Sequence, residues 1–115
     1  MKVLFIDSTN KALLEILREH NFECSYLPNI SEAEIKNKIV DYDGVITRSK
    51  VTFNKELIDK AKKLKFIGRV GAGMENIDIE YAEYRGIKCF NAPEGNRDAV
   101  GEHAVAMLLN LFNNL

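Results

Sequence analysis

Five short apolar runs punctuate this chain. After each comes a longer stretch whose apolar residues recur every three or four positions. The runs are residues 2–7, 24–27, 44–48, 66–70 and 87–91. Between them, 10–20 places Leu13, Leu14, Ile16 and Leu17 at helical spacing. Ser31 with Glu34 three positions on is a capping box, opening a helix that turns Ala33, Ile35 and Ile39 inward. Asn54 caps a helix to about Lys63 that carries Leu57, Ile58, Ala61 and Leu64 on one face, and Asp78 caps 79–85, which Gly86 stops. Strands that are apolar throughout, with no alternation, are buried on both faces. The repetition therefore predicts an α/β fold: a flavodoxin-like, doubly wound, parallel five-stranded sheet with helices on both sides.

Charge narrows the partners. Sixteen basic and seventeen acidic residues leave a net charge of −1, without the basic excess of a nucleic-acid binder. No apolar run approaches the roughly 20 residues of a membrane span. The opening MKVLFID reads as a first strand and not as a signal peptide. Cys24 and Cys89 match no metal spacing, so no metal site is expected, and a reducing cytoplasm is the expected compartment. The final stretch, starting near Asp98, is helical in pattern and apolar on more than one side, through Val100, Ala104, Val105, Met107, Leu108, Leu109, Leu111 and Phe112. Such a helix expects cover from a further domain or subunit.

In doubly wound sheets, ligands sit outside the carboxyl ends of the strands. Here those ends carry Asp7-Ser8, Arg48-Ser49, Val70-Gly71-Ala72-Gly73 and the turn from Asn91 to Asn96. Two glycines around one alanine let successive backbone N–H groups form an anion-binding concavity suited to a carboxylate. The same glycines suit a tight turn with no ligand, and the local pattern does not separate the two. Arg48 can grip a carboxylate or phosphate with two N–H groups, although a lone arginine ending a strand more often faces water. If strands three and four are neighbours, Arg48 and the loop amides converge on one anion. Arg69, inside an apolar strand, needs a partner, and Glu102 or Asp98 is the candidate. Asn96 is either a ligand contact or a turn residue. His103 lacks a nucleophile, base or metal partner and reads as structural, as do the two thiols. His20 reads as a cation at a helix C-terminus. The dinucleotide fingerprint G-x-G-x-x-G fails, because its sixth position is Asn76 and no helix follows directly.

The ordered set Gly68-Arg69-Val70-Gly71-Ala72-Gly73-Met74-Glu75-Asn76-Ile77-Asp78, Arg85-Gly86-Ile87, Asn91-Ala92-Pro93, Asn96 and Val100-Gly101-Glu102-His103, with Thr47-Arg48-Ser49 upstream, resembles the D-isomer-specific 2-hydroxyacid dehydrogenases. Glu75 in place of a usual aspartate and Gly101 in place of a usual alanine are departures from the pattern. The resemblance implies that residues 1–97 form a substrate-binding domain and that 98–115 begin a crossover helix into a Rossmann domain binding NAD. It implies that the amides of Val70, Gly71, Ala72 and Gly73 hold the substrate carboxylate. Arg48, Ser49 and Asn96 would contact substrate or phosphate, and Ala72 and Val100 would approach the cofactor. The implied chemistry is hydride transfer between substrate C2 and NAD, with 3-phosphoglycerate, at the entry to serine synthesis, as substrate. Glyoxylate, hydroxypyruvate or another 2-keto acid is the alternative. The catalytic histidine, glutamate and arginine of the family lie past residue 115, so these residues alone are expected to be inactive. The implied partners are a small 2-hydroxy or 2-keto acid and further copies of the parent protein, with neither nucleic acid nor membrane. A receiver-like signalling module is the alternative of another class, but Arg48 stands where such a module needs an acceptor aspartate, and a cation there opposes Mg²⁺. A stand-alone small-anion-binding domain is the third reading.

Overall fold

A computed structural model of the chain describes residues 1–9, 11–71, 75–92 and 106. Five strands, β1 (Lys2–Phe5), β2 (Glu23–Tyr26), β3 (Gly44–Thr47), β4 (Phe66–Val70) and β5 (Lys88–Ala92), pair in parallel in the order β2-β1-β3-β4-β5. This is the doubly wound order expected from the sequence, and its growth direction reverses between β1 and β3. The central strands are buried on both faces, β3 at every position, whereas β2 at the edge is only half-buried.

The helices α1 (Lys11–Glu19), α2 (Glu32–Lys38), α3 (Lys55–Lys60) and α4 (Ile79–Tyr84) divide unequally. From α1, Ala12, Leu13, Leu14, Ile16 and Leu17 pack on one face of the sheet with Val3, Phe5, Ile46 and Phe66. The other face, with Leu4, Ile6, Val45 and Ile67, takes Ile35 of α2, Leu57 and Ile58 of α3 and Ala82 of α4. Alternate residues of one strand thus serve opposite cores, which is why the strands read as continuous apolar runs. Among the described residues, no helix is long and apolar enough to cross a membrane.

Three helix starts are as the sequence predicts. Ser31 and Glu34 form the full capping box, Asn54 accepts from the Leu57 N–H, and Asp78 accepts from the Tyr81 N–H. Gly86, just past α4, has φ +82°, a conformation that suits the helix stop expected there. Several boundaries differ. The first strand stops at Phe5, although Ile6 still donates its N–H to the Ile46 carbonyl, because Asp7 turns aside to bind the exit of β3. Arg48 lies just past β3 and outside it. The third helix ends at Lys60, short of Lys63, with Ala61 and Leu64 buried beyond its last turn. Ala33 is exposed; the short α2 buries Ile35 alone, and Ile39 reaches the core from a single 3-10 turn, Ile39–Asp41. The start of the last helix at Asp98 lies outside the described residues.

The amino-terminal edge of the sheet is stitched by the backbone. The Asp43 N–H donates to the Lys2 carbonyl (2.8 Å), Lys65 N–H to the Asp43 carbonyl (2.6 Å), and Lys88 N–H to the Lys65 carbonyl (2.9 Å). Side-chain help comes from the Asp43 carboxylate, which accepts from the Lys2 N–H at 2.9 Å.

Candidate functional site

At the carboxyl-terminal edge side chains add to main-chain bonds such as that from the Leu27 N–H to the Phe5 carbonyl (2.9 Å). At the exit of β1 stands Asp7, half-buried, and one oxygen of it gathers three donors from the neighbouring strand's exit. It accepts from the Arg48 N–H at 2.6 Å, the Thr47 hydroxyl at 3.2 Å and the Lys50 N–H at 3.3 Å. Thr47 is fully buried, so its hydroxyl needs this partner. An ionised carboxylate taking several donors fixes a loop more firmly than neutral bonds do. The Arg48 side chain reaches back over the β1–β3 switch point, its Nε donating to the Ser8 carbonyl at 2.7 Å. Ser49 is exposed at the tip of the same bend. Lys50 is turned away, its ammonium donating to the Pro28 and Ile30 carbonyls beyond β2.

Strands β3 and β4 are neighbours, with Thr47 opposite Arg69, so Arg48 and Val70 leave the sheet side by side. Gly71 follows with φ +108°, a region L-residues rarely enter, which turns the chain sharply out of β4. Its carbonyl accepts from the Asn91 side-chain amide at 2.9 Å, which ties in β5. The structure therefore brings Arg48, Ser49, Val70 and Gly71 to one edge. Ala72, Gly73, Asn96 and Val100 lie outside the described residues.

Two residues stand out that sequence reasoning passed over or placed differently. In sequence Asn76 breaks a glycine fingerprint and falls within the family-like run, and neither gives it a structural role. Its amide nitrogen donates to the Arg48 carbonyl at 3.2 Å and to the Val51 carbonyl at 3.0 Å, while its oxygen accepts from Arg69 Nε at 2.8 Å. A polar residue between a glycine turn and the buried Ile77 is a weak signal for such a role, and its partners are distant in sequence. Arg69 is the second; its expected carboxylate partners Glu102 and Asp98 lie outside the described residues, and within them it is held by Asn76.

The thiols stand apart from this edge in chemistry. Burial pushes the Cys89 thiol up to about 11, with Glu83 adding to the shift. Burial also raises Cys24, partly offset by Arg18 and the N-terminal amine. Both are free thiols and half-buried, and burial favours the protonated form of each. The His20 ring lies 2.9 Å from the Ile16 carbonyl at the end of α1, a capping position. Among the described residues, no three metal-ligating side chains gather.

Comparison with known proteins places the chain in a family. Residues 3–109 match the model of the D-isomer specific 2-hydroxyacid dehydrogenase catalytic domain. A D-3-phosphoglycerate dehydrogenase from Archaeoglobus fulgidus is 37% identical over 109 residues, covering 95% of this chain and 21% of that protein. One from Synechocystis is 37% identical over 114 residues, covering 99% of this chain and 20% of that protein. Among solved structures, the NAD⁺-bound 3-phosphoglycerate dehydrogenase of Entamoeba histolytica superposes with a TM-score of 0.71 at 33% identity, over 95% of this chain and 38% of that one. The chain thus spans about a fifth of the length of these two curated relatives. With a family model matching residues 3–109 and relatives 37% identical along nearly its whole length, the chain belongs to the D-isomer specific 2-hydroxyacid dehydrogenase family.

Proposed function

We propose that these residues are the substrate-binding part of an NAD-dependent D-2-hydroxyacid dehydrogenase acting on 3-phosphoglycerate. In this reading 1–97 form the substrate domain and 98–115 open the crossover helix into a cofactor domain. One observation carries it: Arg48, anchored through Ser8 and Asp7, stands beside the positive-φ turn at Gly71 on adjacent strand ends. A fixed cation beside outward-turning amides suits a small acid with two anionic ends. Backbone N–H groups from Val70 to Gly73 take the carboxylate, and Arg48, Ser49 and Asn96 take the phosphate or the distal end of the substrate. The names of the relatives from Archaeoglobus and Synechocystis support the phosphorylated substrate. Homo-oligomerisation of the parent and a cytoplasmic, serine-synthetic setting belong to the same reading, and two unpaired thiols suit that reducing compartment.

The described residues do not build a dinucleotide cradle. The Gly71 turn leads to Asn76 and then Ile77, which bridges to Phe53, and α4 begins only at Ile79 behind Asp78, whose carboxylate opposes a pyrophosphate at that helix start. NAD, when bound, exchanges the hydride with substrate C2, and Ala72 and Val100 are the proposed points of approach. What these residues supply is orientation: they hold both anionic ends of the substrate so that C2 faces the cofactor.

The test is Arg48→Ala in the full gene product carrying these residues. KM for the phosphorylated substrate is expected to rise about tenfold or more, as for loss of a charge-assisted contact, with a smaller change for glyoxylate. Equal losses for both overturn the phosphate role and favour the glyoxylate or hydroxypyruvate reductase alternative.

A further inference from the structure

The Asn76 side chain makes three hydrogen bonds, with both amide N–H groups and its oxygen engaged, and they link two pieces of the proposed site. One amide N–H goes to the carbonyl of the Arg48–Ser49 peptide and the other to Val51, which closes the bend that presents Ser49. The oxygen holds the Nε of Arg69, two residues before Gly71. The guanidinium of Arg69 lies against the turn itself, its Nη1 3.6 Å from the point a Cβ on Gly71 would occupy. The backbone of Asn76 is anchored separately: its carbonyl accepts from the Phe53 N–H at 2.7 Å, and the Phe53 carbonyl accepts from the Asp78 N–H at 2.9 Å. The side chain is therefore a spacer between two loops whose main-chain course is set by other bonds.

We infer that Asn76 is a positioning residue for substrate binding, tying the Arg48–Ser49 bend to the Arg69 guanidinium that lies against the Gly71 turn. The inference rests on the reading that this edge binds a carboxylate substrate. Only an amide meets the need. Two carbonyl oxygens require two donors, a guanidinium N–H requires an acceptor, and no other short side chain offers both. Aspartate has nearly the same shape and keeps the acceptor for Arg69, but it turns a second oxygen toward two carbonyl oxygens and loses both donor bonds.

The experiment compares wild type, Asn76→Ala and Asn76→Asp in the full gene product. It measures kcat and KM for a 2-keto acid, inhibition by oxalate as a carboxylate probe, and the melting temperature. Both variants are expected to raise KM and the oxalate inhibition constant about tenfold, the effect of losing bonds of this kind. The change in kcat should be much smaller, and aspartate should fail to rescue alanine. A fall in melting temperature with KM and oxalate inhibition unchanged overturns the inference. So does full rescue by aspartate, and so does failure of both variants to fold, which would make Asn76 structural alone. A wild-type protein that neither turns over a 2-keto acid nor responds to oxalate defeats the functional reading itself, whatever the variants do.

Discussion

Gly71 shows how one backbone angle sets the site. A Cβ added there meets nothing closer than 3.6 Å, so space is not the obstacle; φ +108° is. Gly71→Ala should therefore destabilise by about 1–2 kcal/mol through backbone strain, read as a shift in the chemical denaturation midpoint. An unchanged midpoint would mean the turn relaxes freely. Cys89 gives a second residue-scale expectation. With its thiol pushed up to about 11, roughly one molecule in a thousand carries the thiolate at pH 8. Iodoacetamide at that pH should leave native Cys89 largely unmodified and label the unfolded chain readily; fast native labelling would contradict the buried state. The linkage has a sign. The unfolded thiol loses its proton near about pH 8.5, while the folded one keeps it to about 11. This group therefore lowers stability as pH rises through that window.

At the scale of elements, α2 depends on its cap. It has seven residues and buries only Ile35, too little for packing alone to hold a short helix. Ser31→Ala removes the acceptor for the Glu34 N–H (3.2 Å) and the hydroxyl donor to Glu34 Oε1 (3.0 Å). The expected loss is about 1 kcal/mol, measured by chemical denaturation or by faster amide exchange in the first turn. A change below about 0.3 kcal/mol, the scale of an ordinary surface substitution, would show that the helix is held from elsewhere. Caps of this kind are legible in sequence because donor and acceptor sit three residues apart. Strands β3 and β4 are legible for a similar reason, since burial on both faces writes itself as an unbroken apolar run. Asp7 and Asn76 are not legible. Asp7 finds its donors 40 to 43 residues away and Asn76 reaches back 25 and 28, separations that no local pattern encodes. Asp7 reads locally as no more than a strand end, because its role depends on β3 arriving next to β1. Ala33 was read as inward because helical spacing alone does not reveal how short α2 is.

For the molecule as a whole, the proposed reading makes the described residues one side of a cleft. The 115-residue chain by itself is accordingly expected to show no quenching of NADH fluorescence at micromolar concentrations. Clear saturable binding would contradict the assignment of the cofactor to another domain. The two rims of the sheet also differ in kind. The amino-terminal rim is laced through Asp43, Lys65 and Lys88 mainly by main-chain bonds, with one side-chain tie from the Asp43 carboxylate. The carboxyl-terminal rim is tied by Asp7, Asn76 and Asn91, whose identities are set by the gene. A substitution on the second rim therefore alters a loop tie directly, while the main-chain bonds of the first still hold the strand starts together.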